Sequence, residues 1–208
     1  MMSQTQRETR LPAAFQEVEY LESSESGNPH IETRIKMPKE IVCIEDLVIL
    51  KNADQYGWGA ISRDGFSAAG FGYYGAHLQY NYSGQYIYQR APSIAIGEKC
   101  NTKLVLLDGS QTVYKDGVSS PDWVSSISNT KSVEGLDIWL FQANGSALRG
   151  PIRIYYIKFL TPDESTVLGE YIPCYRKSDN EPGMFDLVTN TFFTNAGTGE
   201  FTVGADVN

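Results

Sequence analysis

Histidine is nearly missing from this chain. Only His30 and His77 occur among 208 residues. No G-x-S-x-G accompanies them, so nucleophilic hydrolysis of the Ser–His kind has no base and no strained serine turn to use. Cysteine is as scarce. Cys43, Cys100 and Cys174 are an odd number at wide spacing, which is no disulfide framework. There is no C-x-x-C and no short-spaced His/Cys group, which excludes dithiol redox chemistry and zinc. Each cysteine stands in or beside an apolar run, as in Ile41-Val42-Cys43-Ile44, and reads as a small buried hydrophobe. Long apolar runs are lacking too. None approaches the roughly 18–20 residues that cross a bilayer, and residues 1–10 carry no apolar leader segment. The chain reads as made in the cytosol without membrane insertion, with virion association or release by lysis left open. Positive charge is in short supply: 17 Lys+Arg stand against 25 Asp+Glu, a net charge of −8. With no basic block, a nucleic-acid backbone is repelled, so nucleic acid is not an expected partner.

A helical repeat is also missing; no segment keeps a 3.6-residue apolar period over three turns. Short runs rich in β-branched and aromatic residues fill the chain instead. They lie at 15–21, 30–36, 41–50, 56–62, 66–74, 77–82, 85–90, 102–107, 111–115, 136–142, 152–160, 167–173, 184–188, 191–194 and 200–203. Turn dipeptides separate them: Asp64-Gly65, Asp108-Gly109, Asp116-Gly117 and Asn144-Gly145. Residues 102–118 form the cleanest predicted hairpin. Residues 152–159, Ile-Arg-Ile-Tyr-Tyr-Ile-Lys-Phe, are apolar on both parities and predict a strand buried on two sides. Residues 119–134 read as an irregular loop anchored by Trp123. The pattern predicts an all-β chain: a two-sheet antiparallel β-sandwich of jelly-roll form, with a flexible tail at 1–10 and a single domain at 11–208.

Several stretches carry a family likeness. Leu11-Pro12-x-x-Phe15, Glu19-Tyr20-Leu21-Glu22-Ser23 and Ile31-Glu32-Thr33 form an opening. Val113-Tyr114-Lys115-Asp116-Gly117 makes a turn. Glu170-Tyr171-Ile172-Pro173-Cys174-Tyr175-Arg176-Lys177-Ser178-Asp179, Gly183-Met184-Phe185-Asp186, Phe192-Phe193-Thr194-Asn195 and Gly197-Thr198-Gly199-Glu200-Phe201 form a close. Together, over residues 11–204, they resemble the concanavalin A-like (laminin-G-like) modules of phage tail and gut-bacterial surface proteins. Two extra residues lie near Glu25-Ser26, and His30 stands where such modules usually have Tyr. The resemblance implies a β-sandwich of the concanavalin A-like lectin/glucanase type. It leaves the role among glycan binding, adhesion and plain structural service, since a fold is not a function.

Three groups of residues are candidates for chemistry. Glu17-Val18-Glu19-Tyr20-Leu21-Glu22 has a spacing that resembles the E-x-D-x-x-E strand of laminarinase-type glycoside hydrolases, where a bulge gathers carboxylates on one face. Against this, the middle acid is Glu and the motif belongs to the module opening, so the expectation is no catalysis. The alternative uses Glu17 and Glu22. Asp179, Asn180, Glu181 and Asp186 offer the hard oxygens that calcium takes. But no EF-hand register fits, and Arg176 and Lys177 make simpler partners, so no metal or other cofactor is assigned. The richest surface signal is aromatic. Trp58, Tyr73, Tyr74, Tyr80, Tyr82, Tyr86 and Tyr88 crowd one stretch, with Gln79 among amides interleaved between them. Tyr80 and Tyr82, then Tyr86 and Tyr88, repeat at period two across Ser83-Gly84. Such rings either fill the sandwich as a cross-strand ladder or form a ligand face that stacks on sugars. The reading adopted is a non-catalytic module that binds a glycan or a partner protein subunit, with self-association left open.

Overall fold

The computed structural model describes residues 11–61, 68–74, 77–81, 96–121, 123–126, 133–144 and 150–207. The tail expected at 1–10, the strand expected at 85–90 and the turn Asp64-Gly65 lie outside them. Among the described residues the structure is all β, and no helix is long and apolar enough to cross a membrane.

The strands are β1 (Phe15–Glu17), β2 (Leu21–Ser23), β3 (Ile31–Lys36), β4 (Ile41–Ile49), β5 (Gln55–Ile61), β6 (Ala68–Tyr74), β7 (His77–Asn81), β8 (Lys99–Leu107) and β9 (Ser110–Lys115). They continue with β10 (Trp123–Ser126), β11 (Asp137–Leu140), β12 (Ala143–Asn144), β13 (Ile152–Leu160), β14 (Val167–Arg176), β15 (Glu181–Asp186), β16 (Thr191–Thr194) and β17 (Phe201–Val203). The first sheet runs β10-β9-β8-β4-β13-β14-β15-β16, with β2 and β1 pairing β13 and β14 and β17 pairing β2. The second runs β3-β11-β5-β6-β7, with β12 beside β5. The two layers form the expected sandwich.

The core lies where the inward parities meet. Ile41, Cys43, Leu47 and Ile49 of β4, Leu104 and Leu106 of β8, and Ile152, Ile154, Ile157 and Phe159 of β13 come from the first sheet. Ile31, Trp58, Phe71, Ile138 and Leu140 come from the second. Each such side chain, fully buried, stabilises the fold by about 1.5–3 kcal/mol. A smaller cluster sits on the outer side of the first sheet. There Leu11 and Phe15 pack on Ile172, Cys174, Phe185 and Phe192, with Phe15 ring centroids 4.9 Å from both Phe185 and Phe192. The opening and closing stretches of the family likeness therefore hold each other. Residues 17–18 and 206–207 meet as well: Val18 bridges Asp206, and the Val207 amide donates to the Glu17 carbonyl.

Two expectations need correction. Residues 119–134 are not all loop, because β10 pairs with β9, placing Trp123 opposite Val113. A strand of four polar-flanked residues has too few alternations to stand out from the sequence. Strand β13 is not buried on both faces. Its ladder with β4 slips by one residue between Ile154 and Tyr156. This β-bulge moves the inward parity from Ile152 and Ile154 to Ile157 and Phe159, leaving Tyr155 and Tyr156 half-buried on the other side.

Candidate functional site

The three acids of the glucanase-type spacing do not share one strand. The chain leaves β1 at Glu17, bends at residues 19–20, and re-enters the sheet as β2 beside different strands. Glu17 and Glu22 thus belong to separate strands. Glu22 is bound by Arg153, whose Nε donates to its Oε2 at 2.5 Å, and the Arg153 guanidinium lies 4.6 Å from the Tyr20 ring centroid. The acid corner near the C-terminus is likewise closed. Arg176 makes a forked pair with Asp179, and this pairing holds the Asp179 carboxyl below its usual range. Asp186, buried, accepts from the Glu170 and Val188 amides and from the Thr189 hydroxyl. Among the described residues no group of His, Cys, Asp and Glu is arranged to hold a metal ion.

The aromatic stretch is divided by the structure. Trp58, expected in a ligand face, is fully buried. The β5–β6 ladder slips by one residue between Tyr56 and Trp58, so their rings fall on opposite faces. Trp58 enters the core, edge-on to Phe159 at 5.1 Å, and no ligand reaches it. Tyr56 lies instead against Gly72, where a Cβ would come within 2.8 Å of its ring. By register, Gln79 stands opposite Gly72 and Tyr80 opposite Phe71. Tyr56, Gly70 and Gly72 take the outer parity of this sheet. Tyr73 is in register with Leu78 and Tyr74 with His77. Tyr82, Tyr86 and Tyr88 lie outside the described residues.

A residue not singled out from the sequence provides the half-exposed aromatic surface on that outer face. In β11, Ile138 and Leu140 are fully buried while Trp139 between them points away from the core. Trp139 sits in register with Glu32 of β3 and Gly59 of β5. The His30 ring stacks on its indole, with centroids 4.2 Å apart and planes 16° from parallel. His30 is held from behind. Its Nδ1 is 3.0 Å from the Asn28 carbonyl, its amide donates to Asn195 Oδ1, and its carbonyl accepts from the Ala196 amide. Gly197 closes on this corner, where a Cβ would come within 1.9 Å of the Asn28 carbonyl. Glu32 Oε1 stands 3.7 Å from His30 Nε2, its side chain 53% exposed. The result is a braced indole with an adjacent exposed carboxylate. The signal was in the sequence: in Asp137-Ile138-Trp139-Leu140 the tryptophan takes the polar parity.

The core holds a second feature that sequence reasoning missed. Glu45 lies on the inward parity of β4 and is fully buried. Trp58 Nε1 donates to its Oε2 at 2.5 Å, and the Thr102 hydroxyl donates to its Oε1 at 2.8 Å. Burial pushes its pKa up to about 8, with Asp46 adding to the effect and the two hydrogen bonds opposing it. At neutral pH the group is a carboxylic acid locked between the sheets, where no substrate reaches it. The same burial raises the neighbouring Cys43 thiol, with Glu45 adding to it, and pushes Cys174 up to about 12.

Comparisons with known proteins speak to the fold. No protein-family model matches the chain, and no curated protein matches it in sequence. Among solved structures, it is similar to a heptameric SAP-like pentraxin from Limulus polyphemus. The TM-score is 0.52 at 13% identity, over 90% of this chain and 95% of that chain. The shared feature is the jelly-roll β-sandwich.

Proposed function

We propose that the chain is a non-catalytic glycan-binding module, serving in a phage-derived or bacterial surface assembly. The observation that supports it is Trp139, a half-exposed indole braced by a stacked histidine beside an exposed carboxylate. An indole face matches the C–H face of a sugar ring, and a carboxylate at its edge accepts hydroxyl hydrogen bonds. In this reading Tyr73, Tyr74, Gln79, Tyr80, Tyr82, Tyr86 and Tyr88 are further candidates for the ligand face. The placing of Glu17 and Glu22 on different strands, with Glu22 bound by Arg153, supports binding without turnover.

The test is a glycan array with the wild-type chain, followed by titration of the strongest oligosaccharide against wild type and Trp139→Ala. A loss of at least tenfold is expected for the variant, with unchanged denaturation midpoint for Glu32→Gln as a folding control. Equal affinity of Trp139→Ala and wild type refutes the site. An array with no bound sugar turns the module into a structural subunit.

A further inference from the structure

Strand β3 carries a second device beside Glu32. Its ladder with β11 is in register at Glu32–Trp139 and again at Lys36–Asp137, so three residues of β3 stand against Ile138 alone. The irregularity is built, not frayed. The buried Thr33 hydroxyl donates to the Ile138 carbonyl at 2.6 Å and accepts from the Ile35 amide at 3.2 Å, replacing the missing ladder bonds. Arg34, at its centre, has φ of 64°, a left-handed conformation that costs a non-glycine residue stability. A bulge re-aims a side chain. Here it sends the guanidinium over the Phe193 ring, 5.7 Å from its centroid.

That guanidinium lines a groove of about 450 Å³ where the two sheets part, between β3 and the β14–β16 side. Thr33, Lys36, Thr191 and Phe193 line it too. Among the described residues Arg34 has no carboxylate partner, in a chain whose net charge is −8. Every other described Lys and Arg except Lys177 has one; Lys36, for example, is 2.7 Å from Asp137. Asp186, also at the groove, is turned inward onto two amides and the Thr189 hydroxyl. A strained backbone thus holds an unpaired planar cation above an aromatic ring, beside hydroxyls that can accept from a ligand.

We infer that Arg34 and its groove receive the carboxylate of an acidic sugar, a uronate or sialate residue of the glycan. This rests on the glycan-binding reading and narrows it. A guanidinium matches a carboxylate through two parallel N–H···O bonds, a geometry that an ammonium cannot reproduce. Trigalacturonate and sialyllactose, each with its carboxyl-reduced counterpart, are titrated against wild type, Arg34→Gly, Arg34→Lys and Trp139→Ala. At least one acidic probe binds wild type at least tenfold more tightly than its reduced counterpart, and added salt weakens it. Arg34→Gly removes that preference, and Arg34→Lys restores only part of it. Because glycine adopts positive φ freely, the Arg34→Gly midpoint is no lower than wild type, so its loss is not misfolding. Equal binding of acidic and reduced probes, or an unchanged preference in Arg34→Gly, overturns the inference. If reduced probes still bind through Trp139 in that case, the broader reading stands. If no probe binds, both fall.

Discussion

Replacing Glu45 by glutamine tests whether a neutral carboxylic acid sits between the sheets. In the folded chain the group holds its proton up to a pH of about 8, against an ordinary value of 4.5 for the free side chain. Between those values the folded state carries one proton more than the unfolded state. Stability contributed by Glu45 is therefore fully present below pH 4.5 and is lost as pH rises towards 8. The slope is about 1.4 kcal/mol per pH unit at most. Between pH 5 and 7.5 that amounts to about 3 kcal/mol, a large share of the 5–15 kcal/mol that holds a typical domain together. Asp163 and Asp179, whose pKa is lowered by their hydrogen-bond partners, titrate below this window and act in the opposite sense. Glutamine keeps the shape and can still accept from Trp58 Nε1 while facing Thr102, so the variant folds. Urea unfolding of both proteins at half-unit steps from pH 5 to 8.5 gives the comparison. The difference between the curves should move towards Glu45→Gln as pH rises, by about 3 kcal/mol over the window. Parallel curves would refute the buried-acid argument.

Phe185→Ala opens the outer cluster under Phe15, and a loss of about 3–4 kcal/mol in urea unfolding is expected. Cys43 and Cys174, buried and with their thiol pKa pushed up by that burial, should resist a maleimide reagent in the folded protein and label only in denaturant, as read by peptide mass mapping. Glu17→Gln and Glu22→Gln should leave oligosaccharide binding intact, and the wild type should release no reducing sugar from β-glucans. Sugar release that Glu22→Gln abolishes would reinstate the hydrolase. Tyr82→Ala with Tyr86→Ala should weaken a detected glycan severalfold by titration; an unchanged constant removes the aromatic stretch from the surface.

Strand positions were largely readable, because alternation and turn dipeptides act locally. Residues 152–160 and 191–194 are strands as read, and Asp116 and Gly117 both take the positive φ that their dipeptide favours, at 55° and 70°. Faces were less readable, and one cause recurs. A bulge costs no distinctive residue, yet it reverses every inward assignment beyond it. The slip at Tyr56–Trp58 put Trp58 in the core when the sequence offered it to a ligand. The slip in β13 turned an apparently two-sided strand into a one-sided one. The bulge at Arg34 depends on Thr33 meeting the Ile138 carbonyl, two residues 105 apart in sequence, which no local pattern encodes. Glu45 was overlooked for another reason. An acid in Ile44-Glu45-Asp46 looks like a solvated pair until Trp58 and Thr102 are seen to close on it. His30 was noted only as a departure from the family likeness, and its flat ring is what Trp139 uses.

The pairing of residues 17–19 with 205–207 has a mechanical consequence. Val18 and Asp206 run antiparallel, with the Glu19 amide bonded to the Ala205 carbonyl and the Val207 amide to the Glu17 carbonyl. Tension on residue 207 peels these bonds singly, like a zipper, and reaches β17 only after them.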